Sequence, residues 1–372
     1  MKTKPHLASL ASYKILPPVL GGQKAVAIFN KYISRHLPLT CITTRNNDPR
    51  AAEGYQVLNI LSNSTFRYIN VFYFFIIRKI IRRLHITHLV LEHPYYGWLG
   101  LLLKWFTRVS LVIHSHNIEG LRWKTLGKWW WRLLWNYEKY IHQKADYNFF
   151  IQDSDRLYAI GHFHLQPQRC ITVTFGIEWQ TPPPAREKET ARQELLSRHA
   201  IAADHCLILF NGTFNYDPNL KGLERILSDI NPILQKNAPF GYTILICGKD
   251  IPATISEQAY PNVIFAGFVE NITTYFKGAD IFLNPIIEGG GIKTKLVEAL
   301  GYNMNAVSTS HGAIGIDPAI CNGKLHITDD TVHGFAEKII HLATYKQDTP
   351  PAFYDNFYGD NIARRAARFM EE

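Results

Sequence analysis

Cysteine is scarce in this chain. Its 372 residues hold five, Cys41, Cys170, Cys206, Cys247 and Cys321, scattered, odd in number and never as C-x-x-C. That pattern excludes a disulfide scaffold and a cysteine-ligated zinc site. Cys206 and Cys247 sit in apolar runs, so packed, reduced thiols of a cytoplasmic protein are expected. Long apolar runs are missing as well. The most apolar stretch, VFYFFII at 71–77, is bounded by Arg67 and by Arg78, Lys79, Arg82 and Arg83. It falls far short of the ~20 residues that cross a bilayer. The first twenty residues carry early lysines but no apolar core, which makes a poor signal peptide. Acidic residues are rare in one half only. Residues 1–180 hold 23 Lys/Arg against 9 Asp/Glu, and the remainder holds 17 against 22. No helix-turn-helix, zinc-finger or RNA-binding signature accompanies the basic half, so nucleic acid is not the expected partner.

Hydrophobic residues at 47% and charged residues at 19% exclude disorder. The length suggests two domains. Short apolar runs alternate with helical patterns. Strands are expected at 39–44, 88–93, 110–116, 147–152 and 170–175, then at 206–212, 242–248, 263–268, 280–285 and 305–310. Helix-like stretches lie between them, including one long helix from Trp123 to Ala145 with Gly127 as an early interruption. Leu223, Ile226, Leu227 and Ile230 recur at helical spacing. This β-then-α order predicts parallel sheets with helices on both faces. The proline-rich, charged EWQTPPPAREKE reads as a linker. The expected division is 1–180, 181–345 and a helical tail at 346–372. That tail could pack onto either domain, with a return to the first as the expectation.

One stretch carries chemistry. NPIIEGGGIKTKLVEAL, residues 284–300, puts three glycines between a strand and a helix. In an open α/β sheet this is the carboxyl end of a strand, where ligands bind. Free backbone N–H groups and the helix dipole attract an anion there. Gly289, Gly290 and Gly291 let a backbone approach closely. Lys293 and Lys295 add the charge that a diphosphate needs, and Glu298 could accept from ribose hydroxyls. It is not a P-loop, since G-x-x-x-x-G-K-[ST] is absent. A plain turn with solvated lysines remains the bland alternative. Gly21 and Gly22 precede a second helix start. His116 ends an expected strand and could donate a hydrogen bond to a sugar. Its neighbour His114 is expected to be packed. Glu119 could serve the site or cap the following helix. Glu92 and His93 could face an acceptor or equally be surface groups.

The segment from Glu288 through KLVEALGYNMNAVSTSHGAIGI resembles the donor-nucleotide segment of glycosyltransferase family four, with its GT-B fold. PPVLGGQKAVAIFNKYI, HSHNIEGLRW, FNGTFNYDPNLKGLERIL and VIFAGFVENITTYFKGADIFLNP resemble other family segments, in family order. The resemblance implies an α/β, GT-B architecture: two Rossmann-like domains facing a central cleft. It implies a nucleotide-sugar-dependent enzyme of the hexosyltransferase type that retains anomeric configuration and needs no metal or other cofactor. The donor would sit on the second domain, and a glycan or lipid-linked acceptor on the first. Residue by residue, it carries His116 and Glu288 over as catalytic. Gly212, Lys221, Gly289, Gly290, Gly291, Lys293, Lys295 and Glu298 become donor-binding. Gly21, Gly22, Asn117 and Glu119 become the acceptor or phosphate loop.

Two departures stand out. Glu298 matches the second glutamate of an E-x7-E motif, but Glu288 lies ten positions earlier, not eight, and position 290 is glycine. Either Glu288 swings in, or glycine N–H groups replace it. No arginine lies between Asn211 and Lys221, where the family often has one. A catalytically silent GT-B scaffold, or an epimerase, would share these features. Finally, residues 121–144 hold five tryptophans among six lysines and arginines, and 66–84 adds more basic and aromatic residues. That mixture suits an anionic membrane surface. Peripheral attachment to the inner face of a membrane is the expectation, with core packing of the tryptophans as the alternative.

Overall fold

Short branched and aromatic runs recur along the chain. They fold as strands that are largely buried on both faces, the mark of parallel sheets covered by helices. The computed structural model describes residues 4–253, 255, 260–328 and 330–371. The chain divides into two compact units, Met1–Glu178 with Phe357–Glu372, and Trp179–Asn356.

The first unit is a seven-stranded sheet of β1 (Leu7–Ala11), β2 (Leu39–Thr44), β3 (Gln56–Leu61), β4 (His88–Glu92), β5 (Ser110–Ser115), β6 (Tyr147–Phe150) and β7 (Cys170–Thr172), in the order β3-β2-β1-β4-β5-β6-β7. Every pairing is parallel. Alternate residues of a strand face opposite sides, and the core divides accordingly. Leu10, Leu91 and Leu111 pack with Tyr73, Ile77 and Ile81 of the helix Phe72–Arg83 and with Leu99 and Leu103 of the helix Gly97–Thr107. Leu7, Val90 and Val112 pack on the other side with Phe29 and Ile33 of the helix Gly21–Ile33. Ile362, Ala363, Ala366 and Met370 of the last helix, Gly359–Glu371, join that second cluster. Close approach is built in there. A Cβ on Gly359 would fall 2.4 Å from the Tyr32 ring.

The second unit is a six-stranded parallel sheet of β8 (Cys206–Thr213), β9 (Tyr242–Lys249), β10 (Val263–Gly267), β11 (Ile281–Asn284), β12 (Asn305–Ser308) and β13 (Leu325–Ile327), ordered β10-β9-β8-β11-β12-β13. Its core sets Phe210, Ile246 and Leu283 against Leu223, Ile226, Leu227 and Ile230, the row with helical spacing. The sequence order reverses between β1 and β4 in one sheet and between β8 and β11 in the other. Such switch points are where open α/β sheets bind ligands, at the carboxyl ends of the strands.

Gly127 interrupts the long helix early, as expected: Glu119–Thr125 and Trp131–Lys144 are separate, and Gly127 between them has φ +67°, which a continuing helix does not allow. Two expectations change. The linker stretch runs straight into the helix Ala185–His199. The second unit extends to Asn356 instead of ending at 345. The Thr349 hydroxyl donates to the Leu300 carbonyl at 2.7 Å and the Tyr354 hydroxyl to that of Gly301 at 2.9 Å, which ties this segment down.

Candidate functional site

In the second unit the glycine loop follows β11, at the switch point. Gly289 and Gly291 have φ of +87° and +70°, a region that excludes most side chains. A Cβ on Gly289 would also lie 2.6 Å from the Tyr216 hydroxyl. Lys293 folds back over the loop, and its ammonium donates to the carbonyls of Gly289, Gly290 and Gly291 at 2.9, 3.3 and 3.1 Å. In a trans peptide the N–H points opposite to the C=O. The N–H groups of Gly290, Gly291 and Ile292 therefore point away from that ammonium. They have no hydrogen-bond partner among the described residues. Consecutive free amides of this kind form an anion-binding nest. The helix Thr294–Gly301 starts directly behind them. The His311 ring nitrogen meets the same Gly289 carbonyl at 2.7 Å and braces the loop there.

Lys295 sits in the first turn of that helix, half-buried. Its ammonium donates to the Asn211 carbonyl at 2.9 Å and to Asn219 Oδ1 at 3.0 Å, and lies 4.6 Å from the centre of the Phe210 ring. No carboxylate pairs with it among the described residues. Burial, with Lys293 nearby, pushes it down to about 7. A desolvated cation of this kind is stabilised by an incoming anion. Glu298 lies three residues further along the same helix, on the same side by helical spacing. Gly212 is required sterically: it pairs with Gly248, and a Cβ there would come 2.9 Å from Asn219. Glu288 is exposed and paired with Lys221. Lys221 donates to both its oxygens at 3.0 and 2.9 Å, while also reaching Asp217 at 3.0 Å. An 840 Å³ depression lies elsewhere, near Cys206, Asp280 and Asn303 at the amino ends of the strands. That is the wrong end for a site in such a sheet.

In the first unit the cluster is buried and its carboxylates are paired, while His93 Nδ1 and both ring nitrogens of His114 lack a hydrogen bond among the described residues. Glu92 ends β4, fully buried, and is not the surface group that was one alternative. His116 Nε2 lies 2.9 Å from Glu92 Oε2, His114 Nδ1 lies 3.0 Å from the same oxygen, and Ser9 donates to Oε1 at 3.4 Å. Burial alone would raise Glu92, but His114 and His116 more than offset it and hold it well below the usual carboxylate range. Burial and then His93 push His116 down to about 4, with Glu92 opposing. His116 is thus neutral near pH 7. With its Nε2 hydrogen directed at Glu92, Nδ1 is left as an acceptor. The expected hydrogen bond from His116 to a sugar would run the other way, from a hydroxyl to Nδ1. His114 packs against Phe29 and Phe149, as expected. His93 follows β4 with φ +71°, an uncommon conformation for a side-chain-bearing residue.

Glu119 is the first residue of the helix Glu119–Thr125 and does not cap it. Glu138 does: its two oxygens accept the backbone N–H groups of Glu119 and Gly120, each at 3.0 Å. Glu119 instead accepts from Tyr95 at 2.5 Å and Arg122 at 3.2 Å, with His93 at 3.3 Å. Burial would raise its carboxyl, but His93, Arg122 and Tyr95 hold it down at about 2. Asn117 Nδ2 donates to the same carboxylate at 3.3 Å. Gly21 opens the helix Gly21–Ile33, and Gln23 Oε1 accepts the N–H groups of Val19 and Leu20. A Cβ at Gly22 would meet nothing within 4 Å, so packing does not require that glycine.

Two family models match this chain. Residues 205–345 match Glycosyl transferases group 1, and residues 29–178 match Glycosyltransferase Family 4. The chain belongs to the family-four, group 1 glycosyltransferases. A curated relative, an uncharacterized 44.6 kDa protein in the cps region of Klebsiella pneumoniae, is 31% identical over 120 residues, which is 30% of this chain and 31% of that one. The match thus spans under a third of that relative's length. Solved structures agree over almost the whole chain. A glycosyltransferase from Rickettsia africae has a TM-score of 0.73 at 11% identity, covering 99% of this chain and 98% of that one. Anabaena Alr3699/HepE in complex with UDP has 0.71 at 13%, covering 98% and 99%. WaaG, a glycosyltransferase involved in lipopolysaccharide biosynthesis, has 0.63 at 14%, covering 97% and 98%. At such identities the likeness shows the fold, which is GT-B.

Several residues of this candidate site carried little or no signal. Glu92 was open between an acceptor-facing and a surface role, and Glu138 carried no signal; both become important because β4 pairs with β5 and the helix Trp131–Lys144 returns past Glu119. Asn219 matters because it holds Lys295. His311 lay inside the quoted donor segment, and a histidine two residues after a strand-end serine-threonine run was the only hint.

Proposed function

We propose that this glycosyltransferase moves a sugar, with retention at the anomeric carbon, from a nucleotide-sugar donor to a glycan or lipid-linked acceptor in cell-surface polysaccharide or glycolipid synthesis. The observation that carries the reading is the unspent charge at the glycine loop. Three amides without partners, a helix start and an ammonium without a carboxylate among the described residues all fall within positions 290–295. A diphosphate supplies what each of them lacks. Glu298 then holds the ribose. The proposal needs no metal, because Lys295 and the amides meet the phosphate charge directly.

On the first unit, neutral His116 accepts from a sugar hydroxyl through Nδ1, with Glu92 fixing its tautomer. The bond from the anomeric carbon to the diphosphate breaks, and a bond to the acceptor oxygen forms on the same face of the ring. The acceptor's proton leaves with the departing phosphate. HepE is described in complex with UDP and with UDP-glucose, which favours a uridine nucleotide as the first donor to try. Acceptors held at a lipid surface fit a chain in which no described helix is long and apolar enough to cross a membrane.

The test is calorimetry with UDP-, GDP- and ADP-sugars, followed by NMR of the product's anomeric configuration. Binding of one donor class, lost in Lys295→Ala and Glu298→Ala, with a retained anomer, supports the reading. Absence of nucleotide binding supports a silent scaffold. An isomerised donor without acceptor points to an epimerase.

A further inference from the structure

The first unit carries a face that this chemistry leaves unused. The helix Phe72–Arg83 buries Tyr73, Ile77 and Ile81 and turns Phe72 and Phe75 outward, 69% and 62% exposed. The helix Gly97–Thr107 ends on Trp105 and Phe106, 64% and 57% exposed. Phe75 and Phe106 of the two helices belong to one patch. Phe74 lies 5.3 Å from both Phe75 and Phe106, centre to centre, and the Arg78 guanidinium stands 5.9 and 6.0 Å from the rings of Phe74 and Phe106. Exposed apolar patches of this kind mark interaction sites.

Beside the rings, Arg78, Lys79, Arg82 and Arg83 line a cavity of about 400 Å³ together with Phe75. None of the four pairs with a carboxylate among the described residues, whereas Lys31 and Lys104 of the same unit each do. The Arg78 Nε is buried and has no hydrogen-bond partner. Four cations facing one cavity, with a buried donor unspent, fit a phosphate. Large rings standing proud next to them fit hydrocarbon. An acidic protein would satisfy the cations but leave the outward rings without a reason. A bilayer with anionic head groups satisfies both at one depth.

We propose that this face docks on an anionic phospholipid surface, with head-group phosphates in the Arg78–Lys79–Arg82–Arg83 cavity and Phe72, Phe75, Trp105 and Phe106 at the acyl boundary. It rests on the reading above that the acceptor is held at a lipid surface, and it names where the enzyme meets that surface.

The experiment is co-sedimentation of the full chain with phosphatidylcholine vesicles, with and without phosphatidylglycerol. Every variant is also titrated with UDP and melted. Binding at least about tenfold stronger to the anionic vesicles is expected, weakening as salt rises. Arg82→Gln with Arg83→Gln lowers it about thirtyfold, from the usual worth of two surface cations. Phe72→Ser with Phe75→Ser lowers the salt-resistant part. These residues are exposed, so melting should stay unchanged. Trp129→Ser with Leu133→Ser, on the other exposed aromatic segment, should change binding less than twofold. Equal binding to neutral vesicles, or unchanged binding in the arginine variant, overturns the proposal. So does a loss confined to the Trp129 variant, which would move docking elsewhere. UDP binding that survives such a failure leaves the transferase reading standing. Vesicle binding without any nucleotide binding would instead sink that reading alone.

Discussion

The two switch points of this glycosyltransferase are built in opposite electrostatic styles. Around Glu92 in the first unit, both buried carboxylates are answered: Glu92 stands between two imidazoles, and Glu119 among Tyr95, Arg122 and His93, while His93 Nδ1 and both ring nitrogens of His114 lack a hydrogen bond among the described residues. Around the glycine loop in the second unit, Lys295 is held only by neutral acceptors, and three amides have no partner among the described residues. A completed network is rigid before substrate arrives and sets tautomers and orientation. An uncompleted one costs stability until a ligand completes it. On the proposed function, the first unit would serve preorganisation and the second anion capture.

Lys295→Met breaks the second half of that contrast most sharply. One charge-assisted hydrogen bond to phosphate is worth about 1.5–3 kcal/mol, so nucleotide affinity should fall about a hundredfold. Thermal stability near pH 7 should hold or rise, because burying the ammonium is costly. The sign follows from its depressed value. The unfolded chain protonates this lysine below its ordinary 10.5, the folded chain only below about 7, so this group's contribution to stability grows as pH rises through that window. A large drop in melting temperature would contradict the assignment.

Glu92→Gln addresses the first half. An amide can donate to His116 Nε2 and reverse the tautomer, turning Nδ1 from acceptor into donor. Transfer should slow by roughly ten- to a hundredfold, with nucleotide affinity unchanged. Nitrogen NMR of His116 reads the tautomer directly. Gly289→Ala should weaken nucleotide binding by about tenfold, since both its φ and the Tyr216 hydroxyl oppose a methyl, at a cost of order 1–3 kcal/mol. Adding Tyr216→Phe should recover part of that loss. Glu288→Ala should matter least. It removes an exposed, solvent-screened pair with Lys221, so affinity should change under about threefold. A larger effect would show that Glu288 swings in to the donor after all.

Much of this was legible from the residues. Runs such as LTCITT and CLILFNG announce strands because branched residues fill both faces. The three glycines announce a turn that only free backbone can make. The central strand β1 was not legible, because LASLA is small and carries no strand period; its place is set by β2 and β4 on either side. The break at Gly127 was foreshadowed by the glycine, but the apolar pattern ran through it. Glu92, Glu138 and Asn219 act across 19 to 76 residues of chain. Local pattern cannot express such partnerships, because parallel strands bring together segments that are far apart in sequence.

The central claim is that Lys295 stands short of an anion and that a nucleotide diphosphate provides it. Calorimetry of UDP binding near pH 7.5, repeated in buffers of different ionisation enthalpy, tests this most directly. Uptake of a fraction of a proton is predicted, as the ammonium regains a partner, and it should vanish in Lys295→Met. Tight UDP binding with no proton uptake, or with uptake unchanged in that variant, would contradict the account.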